Sequence, residues 1–245
     1  MSSEQLNGIT QIPLLPTAEE LFDPISDLVF FIKDRKARYV AVNRTLVQRC
    51  SLGSKSQLLG KTTLEVFPAP MAEGYHEQDE QVLENGAEIR DLLELHLYGK
   101  GESGWCITTK LPLRSRNGEI VGLVGISKDI PMPETQDSGF KELAEAVEYI
   151  QTHYGGRLKI ELLARMCGLS VYQFEQRMKR VFRLTAGQFI IKTRIQAACE
   201  LLRSTDASVV DIALKCGFSD QSAFTRQFKV TTGMTPTQYR EGLKG

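Results

Sequence analysis

Little in this chain points to a metal centre, a disulfide framework or a membrane. It has five cysteines, three histidines and one tryptophan among 245 residues. The cysteine count is odd, and no two cysteines stand as C-x-x-C. Cys167, Cys199 and Cys216 fall in helical patterns among apolar neighbours, where small buried thiols of a reducing compartment belong. His76, His96 and His153 are scattered, and none has metal-ligand spacing to a cysteine, so no metal site is expected. No apolar run approaches the ~18 residues of a membrane helix. The opening MSSEQLNGITQIPLLP has neither the basic start nor the apolar core of a secretory signal. The expected location is therefore cytoplasmic. Nor is there a phosphate-binding loop: in LLGKTT, Lys55 stands where the motif that would end at Gly60 needs its first glycine.

Net charge is also lacking, but the zero hides a division. Met1 to Tyr149 carries 15 Lys+Arg against 23 Asp+Glu, a net of −8, whereas Ile150 to Gly245 carries 15 against 7, a net of +8. An asymmetry of this kind points to an anionic partner for the second half, nucleic acid being the usual one.

What is present divides into two parts. DIPMPETQDSG, from Asp129 to Gly139, has the proline, glycine and polar content of a linker. Before it, DLVFFIKD, ARYVAVN, AEIRDLLELHLYG, GWCITTKLPLR and GEIVGLVGISKD read as strands separated by Gly-rich or Asn-Gly turns, and MAEGYHEQDEQVLENG reads as a helix. After it, every segment is helical, and a unit occurs twice. Leu163-Ala164, Cys167-Gly168 and Ser170 return 49 residues later as Ile212-Ala213, Cys216-Gly217 and Ser219. Phe174, Met178-Lys179, Thr185 and Phe189 return 50 residues later as Phe224, Phe228-Lys229, Thr235 and Tyr239. The predicted class is thus α+β: a mixed domain over 21–130 after an N-terminal extension of 1–20, a linker over 131–139, and an all-α domain over 140–245.

Each copy reads as helix, tight turn, helix. Gly168 and Gly217 suit the left-handed residue that ends the first helix. Ser170 and Ser219 suit the N-cap of the second, and Thr185/Gln188 and Thr235/Gln238 are capping boxes for the helices that follow. In Val171 to Phe182 the apolar residues share one face, leaving Tyr172, Gln173, Gln176 and Arg180 pointing away, with Glu175, Arg177 and Lys179 on the flanks. In Asp220 to Thr232, Phe224 and Phe228 are buried and Ser222, Thr225, Arg226 and Lys229 exposed. Arg and Gln at such positions read base edges in a major groove, while Lys neutralises phosphate. The run from Thr185 to Thr205 is unbroken and would be on the order of 30 Å long as a helix, close to one turn of B-DNA.

On these residues the half from about Phe140 to Gly245 resembles the AraC/XylS transcription regulators. The signature is carried by Ala213, Gly217-Phe218-Ser219, Phe224, Phe228-Lys229, Gly233, Thr235-Pro236 and Tyr239. The first copy departs from it, with Arg183 for the usual glycine and Ala186 for the usual proline. The resemblance implies two helix-turn-helix units joined by a long helix. It also implies a double-stranded promoter or operator as partner, RNA polymerase as a further partner, a role as activator with repressor left open, and DNA contacts from Tyr172, Gln173, Gln176, Arg177, Arg180, Gln221, Ser222, Thr225, Arg226 and Lys229. Leu21 to Ile130 resembles a PAS sensor domain, through PISDLVFFIKDRKARYVAVN, LLGKTTLEVFP and TTKLPLRSRNGEIVGLVGISKDI. That resemblance implies a five-stranded antiparallel sheet with helices on one face, a homodimer, and a pocket for a small molecule of unknown identity. Trp105, Ile107, Thr109 and His76 are its candidate lining. Two competing functions are an enzyme that repairs alkylated DNA, for which Cys50 and Cys106 lack a metal-binding cluster, and a PAS half that only mediates protein contacts.

Overall fold

The computed structural model describes residues 14–69, 71–97, 103–130 and 138–242. The expected extension over 1–20 and linker over 131–139 lie mostly outside them. The chain divides into two compact units, Met1–Asp129 with Val230–Met234, and Ile130–Lys229 with Thr235–Gly245.

The first unit runs α1 (Leu14–Phe22), β1 (Leu28–Asp34), β2 (Tyr39–Val42), α2 (Arg44–Arg49), a short 3-10 turn at Lys55–Gln57, α3 (Thr63–Val66), α4 (Met71–Asn85), β3 (Ile89–Leu97), β4 (Ser103–Arg114) and β5 (Ile120–Asp129). The strands form one sheet in the order β2-β1-β5-β4-β3, antiparallel throughout. Its turns follow from the sequence. Asp34 accepts from the backbone N–H groups of Lys36 and Arg38 to close β1 onto β2, and Gly118 takes the left-handed conformation that the Asn-Gly turn before β5 needs.

The apolar run LVFFI in β1 is buried from end to end because both faces of the sheet are covered. Val29 and Phe31 pack with Tyr39, Val42, Leu46, Leu58, Val82 and Leu123 on the helix side. Leu28, Phe30 and Ile32 pack with Phe22, Ile25, Val124 and Ile126 on the other. Asn43 fixes the junction of sheet and helix. Fully buried, it accepts from the backbone of Phe30 and caps α2 at Leu46, while its amide donates to the carbonyl of Leu28. Gly125 faces Phe31 across β1 and β5, and a Cβ there would stand 2.3 Å from the ring, so the aromatic side chain lies flat on the sheet only because glycine is opposite.

The second unit is helical: α5 (Ser138–His153), α6 (Ile160–Met166), α7 (Val171–Phe182), α8 (Ala186–Ser204), α9 (Val209–Lys215), α10 (Gln221–Thr232) and α11 (Pro236–Gly242). Among its fully buried side chains are those the repeat picks out, Leu163, Phe174 and Met178 in one copy and Ile212, Phe224 and Phe228 in the other.

Candidate nucleic-acid interface and buried cavity

Both helix pairs turn at a left-handed glycine, Gly168 with φ 65° and Gly217 with φ 77°. The turns differ in crowding. A Cβ on Gly168 would meet nothing within 4 Å, whereas one on Gly217 would stand 2.5 Å from the Tyr154 carbonyl and 2.8 Å from the Arg194 guanidinium. Arg194 reaches from α8 to donate to the carbonyls of Tyr154 and Gly156, so Gly217 sits under a strut that runs to the end of α5.

The second helix of each pair starts on a cap. In the first copy Ser170 accepts from the Gln173 N–H at 3.2 Å, and the Gln173 side chain accepts in return from the Ser170 N–H. In the second copy the expected cap, Ser219, is replaced by its neighbour. Asp220 accepts from the Ala223 N–H at 2.8 Å, and the Ser219 hydroxyl donates to the Asp220 carboxylate. The step of the repeat from 49 to 50 residues has this cause: Asp220, 50 residues after Ser170, occupies the capping position, and the second copy holds one residue more in its turn. The next helices open as the sequence suggests, on Thr185/Gln188 and Thr235/Gln238, with Pro236 as the first residue of α11.

The candidate reading residues fall on α7 and α10. Tyr172, Gln173, Gln176 and Arg180 are exposed on α7, Tyr172 most of all at 73%. On α10, Gln221, Ser222 and Arg226 are exposed, and Thr225 and Lys229 are half-buried. Two flanking residues are engaged within the domain. Arg177 pairs with Glu142 of α5 at 3.0 Å. The Glu175 carboxylate accepts from the Ala186 N–H at 3.1 Å, where a negative group suits the start of α8. Since α8 has 19 residues, its axis is about 28 Å long.

The first unit has a partly open cavity of about 50 Å³ between the sheet and α2–α4, lined by Val29, Phe31, Lys33, Tyr39, Leu46, Arg49, Thr63, Phe67, Tyr75, Glu94, His96, Thr108, Lys110 and Ser127. The four residues expected to line it are not among these. Trp105, Ile107 and Thr109 alternate with the buried Cys106, Thr108 and Lys110 and so belong to the other face of β4. His76 is one position away from Tyr75 on α4 and pairs with Glu80 at 3.3 Å. The cavity takes instead the alternate residues of the same strand, Thr108 and Lys110.

The cavity has mostly apolar walls, with a few charged side chains set among them. The buried Asp79 carboxylate receives both Lys33 and Lys110, the latter at 2.6 Å. Burial would raise Asp79, but the two ammonium groups more than offset it and hold its pKa below the usual range. Burial, reinforced by the charge of Lys110 against the opposing pull of Asp79, lowers Lys33 to about 8. Its ammonium lies 4.3 Å from the centre of the Tyr39 ring. On the β3 side, Glu94 accepts from Gln78 at 2.8 Å and lies 3.3 Å from the His96 imidazole. Burial opposes the charge on His96, yet Cys106 and Glu94 beside it raise its pKa to about 10. Donor atoms of Glu94, His96 and Cys106 all lie within 4.8 Å of one another. Strand pairing places Cys106 opposite Glu94, a proximity that linear spacing between histidine and cysteine does not reveal. All five cysteines are free thiols. No helix among the described residues is long and apolar enough to cross a membrane.

Residues 163–242 match a family model described as a helix-turn-helix domain, and residues 22–134 match one described as a PAS fold. The MmsAB operon regulatory protein of Pseudomonas aeruginosa is 31% identical over 115 residues, which are 47% of this chain and 38% of that protein. The transcriptional activator RhaS of Escherichia coli (strain SE11) is 27% identical over 114 residues, 46% of this chain and 41% of that one. The chain thus spans about two-fifths of the length of these curated relatives. Among solved structures, the DNA-binding domain of AdpA, crystallised with a target DNA, is 29% identical and covers 42% of this chain and 93% of that one, with a TM-score of 0.41.

Proposed function

We propose that this chain, in which an AraC-type helix-turn-helix domain follows a PAS fold, is a sequence-specific DNA-binding transcription regulator. The supporting observation is the pair of capped helices, α7 and α10, presenting Tyr172, Gln173, Gln176 and Arg180 and Gln221, Ser222 and Arg226 to solvent from a half of net charge +8. α8 links the two helix-turn-helix copies, and its length is comparable to one turn of B-DNA, ~34 Å. Double-stranded promoter DNA is the partner, with the two helices in successive major-groove segments. Arg226 and Gln176 read base edges there, and Lys229 holds phosphate. RNA polymerase is the further partner of an activator, and the PAS fold makes the homodimer. The cavity under the sheet is the place for a signal molecule, whose binding changes promoter occupancy.

Selection of bound sequences from a random duplex pool with the full chain tests this reading. A recovered motif with two half-sites about one helical turn apart is expected, with affinity falling steeply as salt rises. Binding of equal strength to every sequence would overturn it.

A further inference from the structure

We propose that the cavity of the first unit binds a short-chain monocarboxylate, whose oxygens accept from the Lys33 and Lys110 ammonium groups and the Thr63 hydroxyl. This deepens the sensor reading by naming the class of signal.

The charge balance carries the argument. Two lysines, 1% and 4% exposed, converge on a single carboxylate, that of Asp79. One buried carboxylate neutralises one ammonium. The second positive charge remains in a site walled by Val29, Phe31, Leu46 and Phe67. Taking an ammonium out of water costs several kcal/mol unless an opposite charge is nearby. Glu94, the other carboxylate on the cavity, is within electrostatic reach of Lys110 but also lies 3.3 Å from the His96 imidazole, so its single charge is shared between the two. The Arg49 that also lines the cavity is paired with Asp129 and leaves the balance unchanged. A monoanion in the cavity would complete the balance.

Thr63 is an independent observation. It lines the cavity at 2% exposure, and its hydroxyl has no hydrogen-bond partner. A buried polar atom in that condition costs about 1–3 kcal/mol, which a ligand oxygen would recover.

Size and lining narrow the class. A cavity that holds benzene measures roughly 150 Å³, against about 50 Å³ here. That space suits a few heavy atoms better than an aromatic acid. The aliphatic and aromatic walls favour an organic anion with a short apolar tail over an inorganic one.

Calorimetric titration of the full chain with propionate, propionamide and nitrate tests the proposal. Propionate is expected to bind with a Kd below about 1 mM, and propionamide and nitrate at least ~10-fold more weakly. Lys33→Met removes the excess charge and leaves the Lys110–Asp79 pair intact. It should abolish propionate binding while the thermal midpoint stays equal or rises, which separates loss of binding from loss of fold. Thr63→Val should weaken propionate about 10-fold. Absence of propionate binding, equal binding of propionamide, equal binding of nitrate, or undiminished binding by Lys33→Met would each overturn the proposal. Operator affinity measured with and without propionate is a separate readout. Propionate binding that leaves operator affinity unchanged would keep this inference and overturn sensing by the cavity. An operator response to other small molecules, without propionate binding, would do the reverse.

Discussion

The two helix-turn-helix copies reach one geometry by different local chemistry. The first turns at an uncrowded glycine, caps its reading helix with a neutral serine, and ends that helix on Arg183, which takes the left-handed conformation at φ 59°. The second turns at Gly217 beneath the Arg194 guanidinium, caps with Asp220, and has Gly233, φ 79°, where the first has Arg183. The first copy also starts α6 on Lys159 with no side-chain cap, whereas α9 starts on Ser208, which accepts from the Asp211 N–H. The lesson is that the repeat specifies buried apolar positions and the sites of turns, and leaves each turn's chemistry free to vary.

The largest expected difference between the copies is at the glycines. Gly168→Ala should cost ~1–2 kcal/mol, the penalty of a left-handed alanine in open space. Gly217→Ala adds a collision with the Tyr154 carbonyl and Arg194, so it should cost roughly twice that or more. Urea unfolding followed by far-ultraviolet circular dichroism measures both, and equal losses would refute the crowding argument.

Next in size are the proposed reading residues. Arg226→Ala should cost ~1–3 kcal/mol on the selected site and relax preference at one base pair. Gln176→Ala should relax preference about one helical turn away. Lys229→Ala should weaken specific and random DNA alike. Parallel losses for Arg226 and Lys229 on both kinds of DNA would show that the base and phosphate roles are wrongly divided.

The caps give a smaller effect and a dependence on pH. Ser170→Ala should cost ~1 kcal/mol, and Asp220→Ala should destabilise in the same direction. Only the second cap titrates. Hydrogen bonds from the Ala223 N–H and the Ser219 hydroxyl hold the Asp220 carboxyl below its ordinary 3.8. A carboxyl lowered by folding stabilises above its ordinary value and loses that contribution as pH falls through its folded one. Stability differences between the wild type and Asp220→Ser should therefore be constant at neutral pH and change only below about pH 4. Ser170→Ala should show no such break.

The smallest expected change is a gain. Arg183→Gly relieves a left-handed arginine and should stabilise by about 0.5–1 kcal/mol, after the greater backbone entropy of glycine is subtracted. A loss of stability would mean that the arginine side chain contributes more than its backbone costs.

How far the sequence revealed all this varied with the range of the interaction concerned. The five strands, α4 and the repeated helices were legible because strand and helix periods, Gly, Asn-Gly and Thr-x-x-Gln are local signals. The exchange of Ser219 for Asp220 was not, because two adjacent residues could both cap and only the path of the turn decides. The role of Glu175 depends on a contact 11 residues away, with the start of α8. The cavity was hardest. Its best signal was a lysine in the middle of an otherwise apolar strand, FFIKD and TTKLPL, and its strand phase needs the neighbouring strands to be known. The meeting of His96 and Cys106 likewise depends on the β3–β4 register.

The position of Glu175 has a practical consequence for testing the proposed DNA reading by retargeting it to a new sequence. On the stretch from Tyr172 to Arg180, Glu175 and Arg177 are fastened to α8 and α5, so a library that randomises the whole stretch would mostly sample damaged scaffolds. A library limited to Tyr172, Gln173, Gln176 and Arg180, with Gln173 kept able to accept from Ser170, would vary only side chains that project into solvent. Its members should express at near wild-type yield, so that selection acts on which letters are read rather than on which chains survive.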